Sequence, residues 1–404
     1  MVKRELYINK IRGFMNLPEI VKIITGMRRS GKSVMLELIQ SELLSNGVSK
    51  SNILTYNFED MSLRNLKNPE VLHDHLKTRI DALKDRIYLF LDEIQEVENW
   101  EACVNSLRVN SDVDIYVTGS NAKMLTGEYA TLLAGRYIEI RMYPFSFQEF
   151  CTAIHEKIPG LSLSEKFNMY IKQGGMPFLS NLVLSEAEAK QYLCDIYASV
   201  VIKDIIKQNS FRDVDLLEKI IAYVMANVGK TFSATSISKF FKSENRTVAP
   251  ETILNYLRAC EEAYLFAKIK RFDVPGKRML QINEKYYVTD HGLREAVYGY
   301  NERDIELVME NIICIELLRR GYNVSVGYIG SKEIDFIGTR GSECIYIQVC
   351  YLLASKETIE REFGGYRSVL DNFPKYVVSL DEFNLNRDGI QHKNIREFLI
   401  TDSW

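Results

Sequence analysis

The apolar run Val21-Lys22-Ile23-Ile24-Thr25 leads directly into Gly26-Met27-Arg28-Arg29-Ser30-Gly31-Lys32-Ser33, and an amphipathic stretch follows. The octapeptide satisfies G-x-x-x-x-G-K-[ST] at every fixed position, in the strand–loop–helix context that gives the pattern meaning. Glycine at both ends lets backbone wrap closely around an anion. The loop N–H groups and the start of the next helix supply donors and positive potential. Gly26, Met27, Arg28, Arg29, Ser30, Gly31, Lys32, Ser33 and Val34 therefore read as a phosphate cradle. Lys32 is the candidate for the β- and γ-phosphates and Ser33 for Mg²⁺. ATP, Mg²⁺ and the product ADP are the ligands this spacing calls for.

Four further apolar runs are separated by helical patterns: Ile53–Phe58, Ile87–Leu91, Ile115–Thr118 and Tyr137–Ile140. Short apolar runs of this kind predict buried parallel strands in an α/β sandwich. Two of them end in polar residues at the edge where such sheets place ligands. Asp92 and Glu93 follow Leu91; Asp92 suits a Mg²⁺ shell and Glu93 suits activation of a water. Ser120 and Asn121 follow Thr118-Gly119 and could hold that water. Arg136, between this strand and the next, is the candidate arginine finger, acting in cis or in trans; action in trans would require a homo-oligomer.

Downstream the periodicity changes. Ser162 to Gln208 is helical, with a turn at Gly174-Gly175-Met176-Pro177. Leu216–Asn227, Ser233–Lys242 and Pro250–Ala263 predict three helices, followed by a hairpin turning near Asp273–Lys277. Three helices and a hairpin is the layout of a winged helix-turn-helix. From Asn301 a helix through Glu310–Glu316 ends near Gly321. Strand-like runs follow at Asn323–Tyr328, Glu333–Gly338, Ile345–Tyr351 and Tyr376–Leu380. The division expected is 1–155 for the ATPase core, 156–212 for a helical segment (a helical lid in the resemblance given below), 213–300 for the winged helix and 301–404 for a last α/β domain.

The formal net charge of the 404 residues is −3, so any nucleic-acid contact needs a local basic patch. Seven scattered cysteines without C-x-x-C argue against a disulfide framework or a zinc site. His73 and His75 read as a solvated helix face. The residues after Met1 lack the apolar core of a signal peptide, and no run suits a membrane span. The expected compartment is the reducing cytoplasm, with no membrane partner.

The chain resembles the prokaryotic AAA-type ATPases that carry a C-terminal domain of unknown function. The resemblance rests on Ile24–Ser33, Leu91-Asp92-Glu93-Ile94-Gln95 with Trp100, Thr118–Asn121, Leu133–Arg136, Pro144–Phe147 and Gly174–Pro177. It continues through Tyr286–Asp290, Glu310-Asn311, Arg320–Tyr322, Glu333–Phe336 and Ile347–Val349. It implies an ATPase core with a lid, then a winged helix, then a restriction-endonuclease-like PD-(D/E)XK fold. In such a nuclease, carboxylates hold Mg²⁺ and a lysine assists the water. Here Glu310 (or Glu316) and Asp335 fit the acids, while the D/E-x-K position reads Gln348-Val349-Cys350. Gln348 is a weak Mg²⁺ ligand and Cys350 carries no ammonium, so the residues argue against cleavage and for a degenerate pocket of Glu310, Asp335 and Gln348.

Lys268, Lys270, Arg271, Lys277 and Arg278 cluster around the expected wing and suit phosphate. Glu251, Glu261 and Glu262 on the presumed recognition helix oppose it. DNA and protein partners are thus left equally open for the winged helix and C-terminal domain. Three readings remain: an ATP-driven switch or machine on a protein or nucleic-acid partner; a nuclease under ATP control; and a non-hydrolysing interaction protein stabilised by nucleotide.

Overall fold

The structure is a computed structural model. It describes residues 2–125, 132–181, 185–209, 211–274, 276, 278–330 and 332–404, with backbone alone at 278 and 280–283. The chain forms two compact units, one of residues 1–143 with 262–264, the other of residues 144–261 with 265–404.

The first unit holds five parallel strands: β1 (Val21–Gly26), β2 (Ile53–Asn57), β3 (Ile87–Asp92), β4 (Val113–Gly119) and β5 (Tyr137–Met142). Their order is β2-β3-β4-β1-β5, so β4 stands between β1 and β3. All five apolar runs of the sequence are strands. Every residue of β1, β3 and β4 is buried, as expected where helices cover both faces. Alternation divides their side chains between two cores. Ile23, Leu89, Leu91, Ile115 and Val117 face the core beneath α3 (Pro69–Asp81) and α4 (Trp100–Asn110). Ile24, Tyr88, Phe90 and Tyr116 face the core beneath α1 (Glu5–Arg12) and α2 (Lys32–Ser45), with the Phe90 and Tyr116 rings stacked at 4.8 Å. Lys22, the polar residue within the β1 run, is fully buried and paired with Asp114 of β4.

The second unit opens with α5 (Phe147–Lys157), α6 (Leu163–Gln173) and α7 (Glu186–Ser199). The sequence division assigns α5 to the first 155 residues, but the helix packs here. Phe147 and Phe150 of its apolar face meet Phe167 and Tyr170 of α6. Next come α8 (Val214–Ala226), β6 (Thr231–Phe232), α9 (Ala234–Ser243), α10 (Pro250–Glu262) and the antiparallel pair β7 (Phe266–Asp273) and β8 (Arg278–Val288). The remainder is α11 (His291–Tyr298), α12 (Ile305–Arg319), β9 (Asn323–Ile329), β10 (Lys332–Arg340), β11 (Glu343–Val349), α13 (Lys356–Gly364), β12 (Lys375–Ser379), β13 (Gln391–Asn394) and α14 (Ile395–Ile400).

The hairpin is not a free wing. β7 pairs in parallel with β9, giving one eight-stranded sheet ordered β13-β12-β11-β10-β9-β7-β8-β6. Two residues of the basic cluster, Arg271 and Lys268, are spent on internal contacts. Arg271 is buried, with its guanidinium 3.8 Å from the Tyr328 ring centre. Lys268 lies 3.5 Å from Glu261 and 3.9 Å from Glu284. Lys270 is exposed; Lys277 and the Arg278 side chain lie outside the described residues.

Candidate active site

The loop of Gly26–Ser33 sits at the C-terminal end of β1, and its backbone is unusual at three residues. Gly26 has φ +143° and Gly31 φ +99°, and Arg29 adopts φ +67°. A Cβ on Gly26 would approach Met142 O to 2.3 Å, so the first glycine is required by the neighbouring strand as well as by φ. Ser30 N donates to Met27 O at 3.2 Å, closing the loop. Arg4 braces it from outside, donating to Ser30 O and to Tyr143 O at 2.9 Å each.

Gly31 caps α2 without a side-chain acceptor. The first-turn N–H groups of that helix have no intrahelical acceptor, and they mark a site for an anion. Ser30 Oγ is buried without a partner among the described atoms. Lys32 is buried, and its ammonium donates to Gly26 O at 3.1 Å and Met27 O at 3.2 Å. Met27 is buried, Arg29, Ser33 and Val34 are exposed, and Arg28 reaches Glu59 at 2.7 Å.

Asp92 ends β3. It accepts from Thr118 Oγ1 of β4 at 2.5 Å, from Asn57 Nδ2 of β2 at 3.1 Å and from the Ser33 hydroxyl. Burial raises its pKa against the pull of Thr118, Ser33 and Lys32. Glu93 leaves the strand in the left-handed region, φ +52° and ψ +48°, a conformation that costs a non-glycine residue on the order of 1 kcal/mol. Its N–H donates to Thr118 Oγ1 at 2.9 Å, so one hydroxyl orients both acids. Its carboxylate lies 3.4 Å from the Lys32 ammonium and accepts from Gln95 Nε2 at 2.5 Å. Burial opposes ionisation of Glu93, but Lys32, Gln95, Arg28 and Ser120 outweigh it and hold the pKa below the usual range.

Ser120 and Asn121 are both buried at the tip of β4. Ser120 Oγ accepts from Gln95 Nε2 at 3.3 Å, and Asn121 Oδ1 accepts from Lys123 N at 2.8 Å. Lys32, Ser33, Asp92, Glu93 and Ser120 are thus gathered by the ends of β1, β3 and β4. This donor set fits a magnesium nucleotide: a glycine loop that opens a helix N-terminus, one ammonium, a hydroxyl on a carboxylate and a second carboxylate.

Arg136 is not brought to this cluster. It is exposed and immediately precedes β5, whose Tyr137 pairs with Val21 while Met142 pairs with Gly26. Six residue steps separate it from the level of Gly26, about 20 Å along the sheet at ~3.3 Å per residue.

Sequence reasoning passed over Thr118, Gln95, Asn57 and Arg4. Thr118 and Gln95 lie within the motifs already singled out, and their flanking of the acids was the available signal. Asn57 ends the β2 run, but only strand order puts it beside Asp92. Nothing in the sequence around Arg4 connects it to Ser30.

In the second unit, Glu310 (α12) and Asp335 (β10) do come together, with an ammonium the sequence reading lacked. Lys285 of β8 lies 3.1 Å from Glu310 and 2.7 Å from Glu333. Tyr287 donates to Glu310 at 2.5 Å. Burial and Glu310 drive the Asp335 pKa well up. Gln348 turns its Oε1 to Asp335 N at 3.3 Å, while Val349 N donates to Asp335 Oδ2 at 2.8 Å. Glu316 instead forms ion pairs with Arg319 and Arg320.

Residues 19–151 match the model of an AAA domain, and residues 164–304 that of a domain of unknown function (DUF8612). Among solved structures, a Walker-type ATPase of Pyrococcus abyssi superposes with a TM-score of 0.51 at 13% identity, covering 74% of this chain and 96% of that one, a likeness of fold. An uncharacterized protein of Methanocaldococcus jannaschii is 29% identical over 97% of this chain and 88% of its own length. An uncharacterized protein of Haemophilus influenzae is 36% identical over 402 residues, 99% of each chain. The chain therefore belongs to the family of that Haemophilus influenzae protein, with an AAA domain at residues 19–151.

Proposed function

We propose that the chain binds ATP at Gly26–Val34 and hydrolyses it to ADP, using the reaction to switch or drive a partner. The observation that carries this reading is the convergence of Lys32, Ser33, Asp92, Glu93 and Ser120 at one sheet edge. Lys32 leaves the Gly26 and Met27 carbonyls to bind phosphate oxygens. The loop N–H groups hold the remaining phosphate charge, and Gly26 keeps the loop close to β5. A Mg²⁺ ion held by Ser33 and Asp92 would neutralise phosphate charge. Thr118 keeps Asp92 directed at Ser33. Glu93, kept ionised by its neighbours, accepts the proton of the attacking water, and Ser120 and Asn121 orient that water. Arg136, at the far end of the strands from the loop, serves the site of a second copy, so the working form is a homo-oligomer. Glu93→Gln tests the assignment: it should retain ATP and lose phosphate release, and normal turnover would overturn it.

The second unit is where the work is delivered. We read α5–α7 as the lid, α8–α10 with β7–β8 as a winged helix fused to the neighbouring sheet, and residues 301–404 as a nuclease-like fold without cleavage. The partner is a protein or a nucleic acid. Among the described residues, no helix is long and apolar enough to cross a membrane.

One observation favours the nuclease reading: Lys285 supplies the ammonium that Cys350 cannot. The same lysine is committed to Glu310 and Glu333, and Gln348 faces a backbone N–H, which leaves the pocket short of free ligands. Metal-dependent cleavage of DNA that is lost in Asp335→Ala would establish that reading; none with Mg²⁺ or Mn²⁺ would end it.

A further inference from the structure

Glu93 is buried and, as the proposed base, must also be aimed. Lys32, Gln95 and the Ser120 hydroxyl all reach its carboxylate, and nucleotide binding acts differently on Lys32 and Gln95. Lys32 sits 3.4 Å from one oxygen, but its ammonium is also the ligand proposed for phosphate. An ammonium shared with phosphate is a weaker anchor for the acid. Gln95 holds the other oxygen at 2.5 Å, and its second amide contact is to Ser120 of the β4 tip rather than to the phosphate loop.

The position of Gln95 is set by backbone. Glu93 in the left-handed region turns the chain sharply after β3. The short turn Ile94–Glu96 is closed by Glu96 N to Glu93 O at 3.1 Å and Val97 N to Ile94 O at 2.9 Å. This folds the Gln95 side chain back over Glu93 and toward β4. Gly119 makes room for it: a Cβ there would lie 2.8 Å from Gln95 Oε1. The amide orientation follows from chemistry. An ionised carboxylate only accepts, so the NH₂ group must face Glu93. Its second hydrogen then reaches Ser120 Oγ at 3.3 Å. One neutral side chain thus bridges the tips of β3 and β4.

We propose that Gln95 is a positioning residue for hydrolysis: its amide bridges Glu93 to Ser120 and keeps the carboxylate aimed once phosphate has engaged Lys32. The proposal rests on the ATPase reading above. A neutral donor suits the task, because it fixes the rotamer without placing a second full positive charge on the base. Glutamate at 95 would set two carboxylates side by side.

The test is steady-state ATP hydrolysis by the full chain, with kcat and KM determined separately, and ADP affinity by calorimetry. Gln95→Met keeps the volume and removes the amide; Gln95→Ala removes both. Each should lower kcat about 10- to 100-fold while KM and ADP affinity stay within about threefold, the pattern of an interaction acting on turnover alone. Adding Ser120→Ala to Gln95→Met should cost less than Ser120→Ala costs in the wild type, since the bridge is already broken. A kcat within twofold of wild type in both variants overturns the proposal. So does a kcat loss matched by equal losses in ADP affinity or by early unfolding of both variants, which would make Gln95 a structural residue. A wild-type chain that binds ATP and releases no phosphate removes the reaction itself, and the role of Gln95 falls with it.

Discussion

Lys285 Nζ lies 3.1 Å from Glu310 Oε1, and both side chains are buried in the second unit. The pair joins β8 to α12, and Glu333 of β10 completes a three-segment pin. Removing one partner of a buried pair leaves an uncompensated charge and costs about 3–5 kcal/mol. Lys285→Met should lower the thermal midpoint by several degrees. Glu310→Gln added to it should restore part of the loss. Additive losses in calorimetry would show that the two groups do not pair.

Thr118→Val tests the hydroxyl that serves both acids. Valine preserves the shape of the residue within fully buried β4 but strips Asp92 of a donor and Glu93 N–H of an acceptor. Each buried group left unsatisfied costs about 1–3 kcal/mol. Turnover should fall at least tenfold, with a lowered denaturation midpoint. Unchanged values of both would contradict the geometry.

Two adjacent groups in the second unit give stability opposing pH slopes. Burial pushes the Asp290 carboxyl up to about 6, against hydrogen bonds from the Gly175, Leu293 and Gly292 N–H groups. Burial holds the His291 ring down to about 4, its Nε2 lying 2.6 Å from Tyr170 O. The ordinary values are about 3.9 for Asp and about 6.5 for His. The Asp290 contribution is full below about 4 and lost as pH rises to about 6; the His291 contribution is full above about 6.5 and lost as pH falls toward about 4. Asp290→Asn removes only the first. Relative to wild type, this variant should lose up to about 2 kcal/mol between pH 7 and pH 4.5. A pH-independent difference in thermal midpoint would refute the linkage.

The nucleotide site was legible because its signals are local. A glycine spacing, an Asp-Glu pair and a polar strand end each announce themselves within a few residues. Strand order then did what no motif could: placing β4 between β1 and β3 set Thr118 beside both acids and Ser120 beside Glu93, while the place of Arg136 before the start of β5 left it at the far end of the strands from the loop. The second unit was less legible. Helix periods and the hairpin were readable, but the parallel pairing of β7 with β9 leaves no trace in either strand alone. That pairing buries Arg271, taking one member of the expected basic cluster into the sheet. Lys285 shows the same limit: the lysine of a pocket was sought beside Gln348 and stood on a strand more than sixty residues earlier in the numbering.

Arg136 gives a test of assembly. If it serves the site of a second copy, Arg136→Ala and Lys32→Ala should each be inactive alone. Mixed, they should recover part of the wild-type turnover, because some sites then combine an intact loop with an intact arginine. No recovery from preparations shown to exchange subunits would place Arg136 outside the reaction.

The most direct measurement is phosphate release from ATP with Mg²⁺, by wild type and by Lys32→Ala in parallel. Turnover in the wild type, falling at least about 100-fold in the variant with the fold intact, is the predicted result. Equal release by the two proteins, or none by a wild type that holds ATP, would contradict the account.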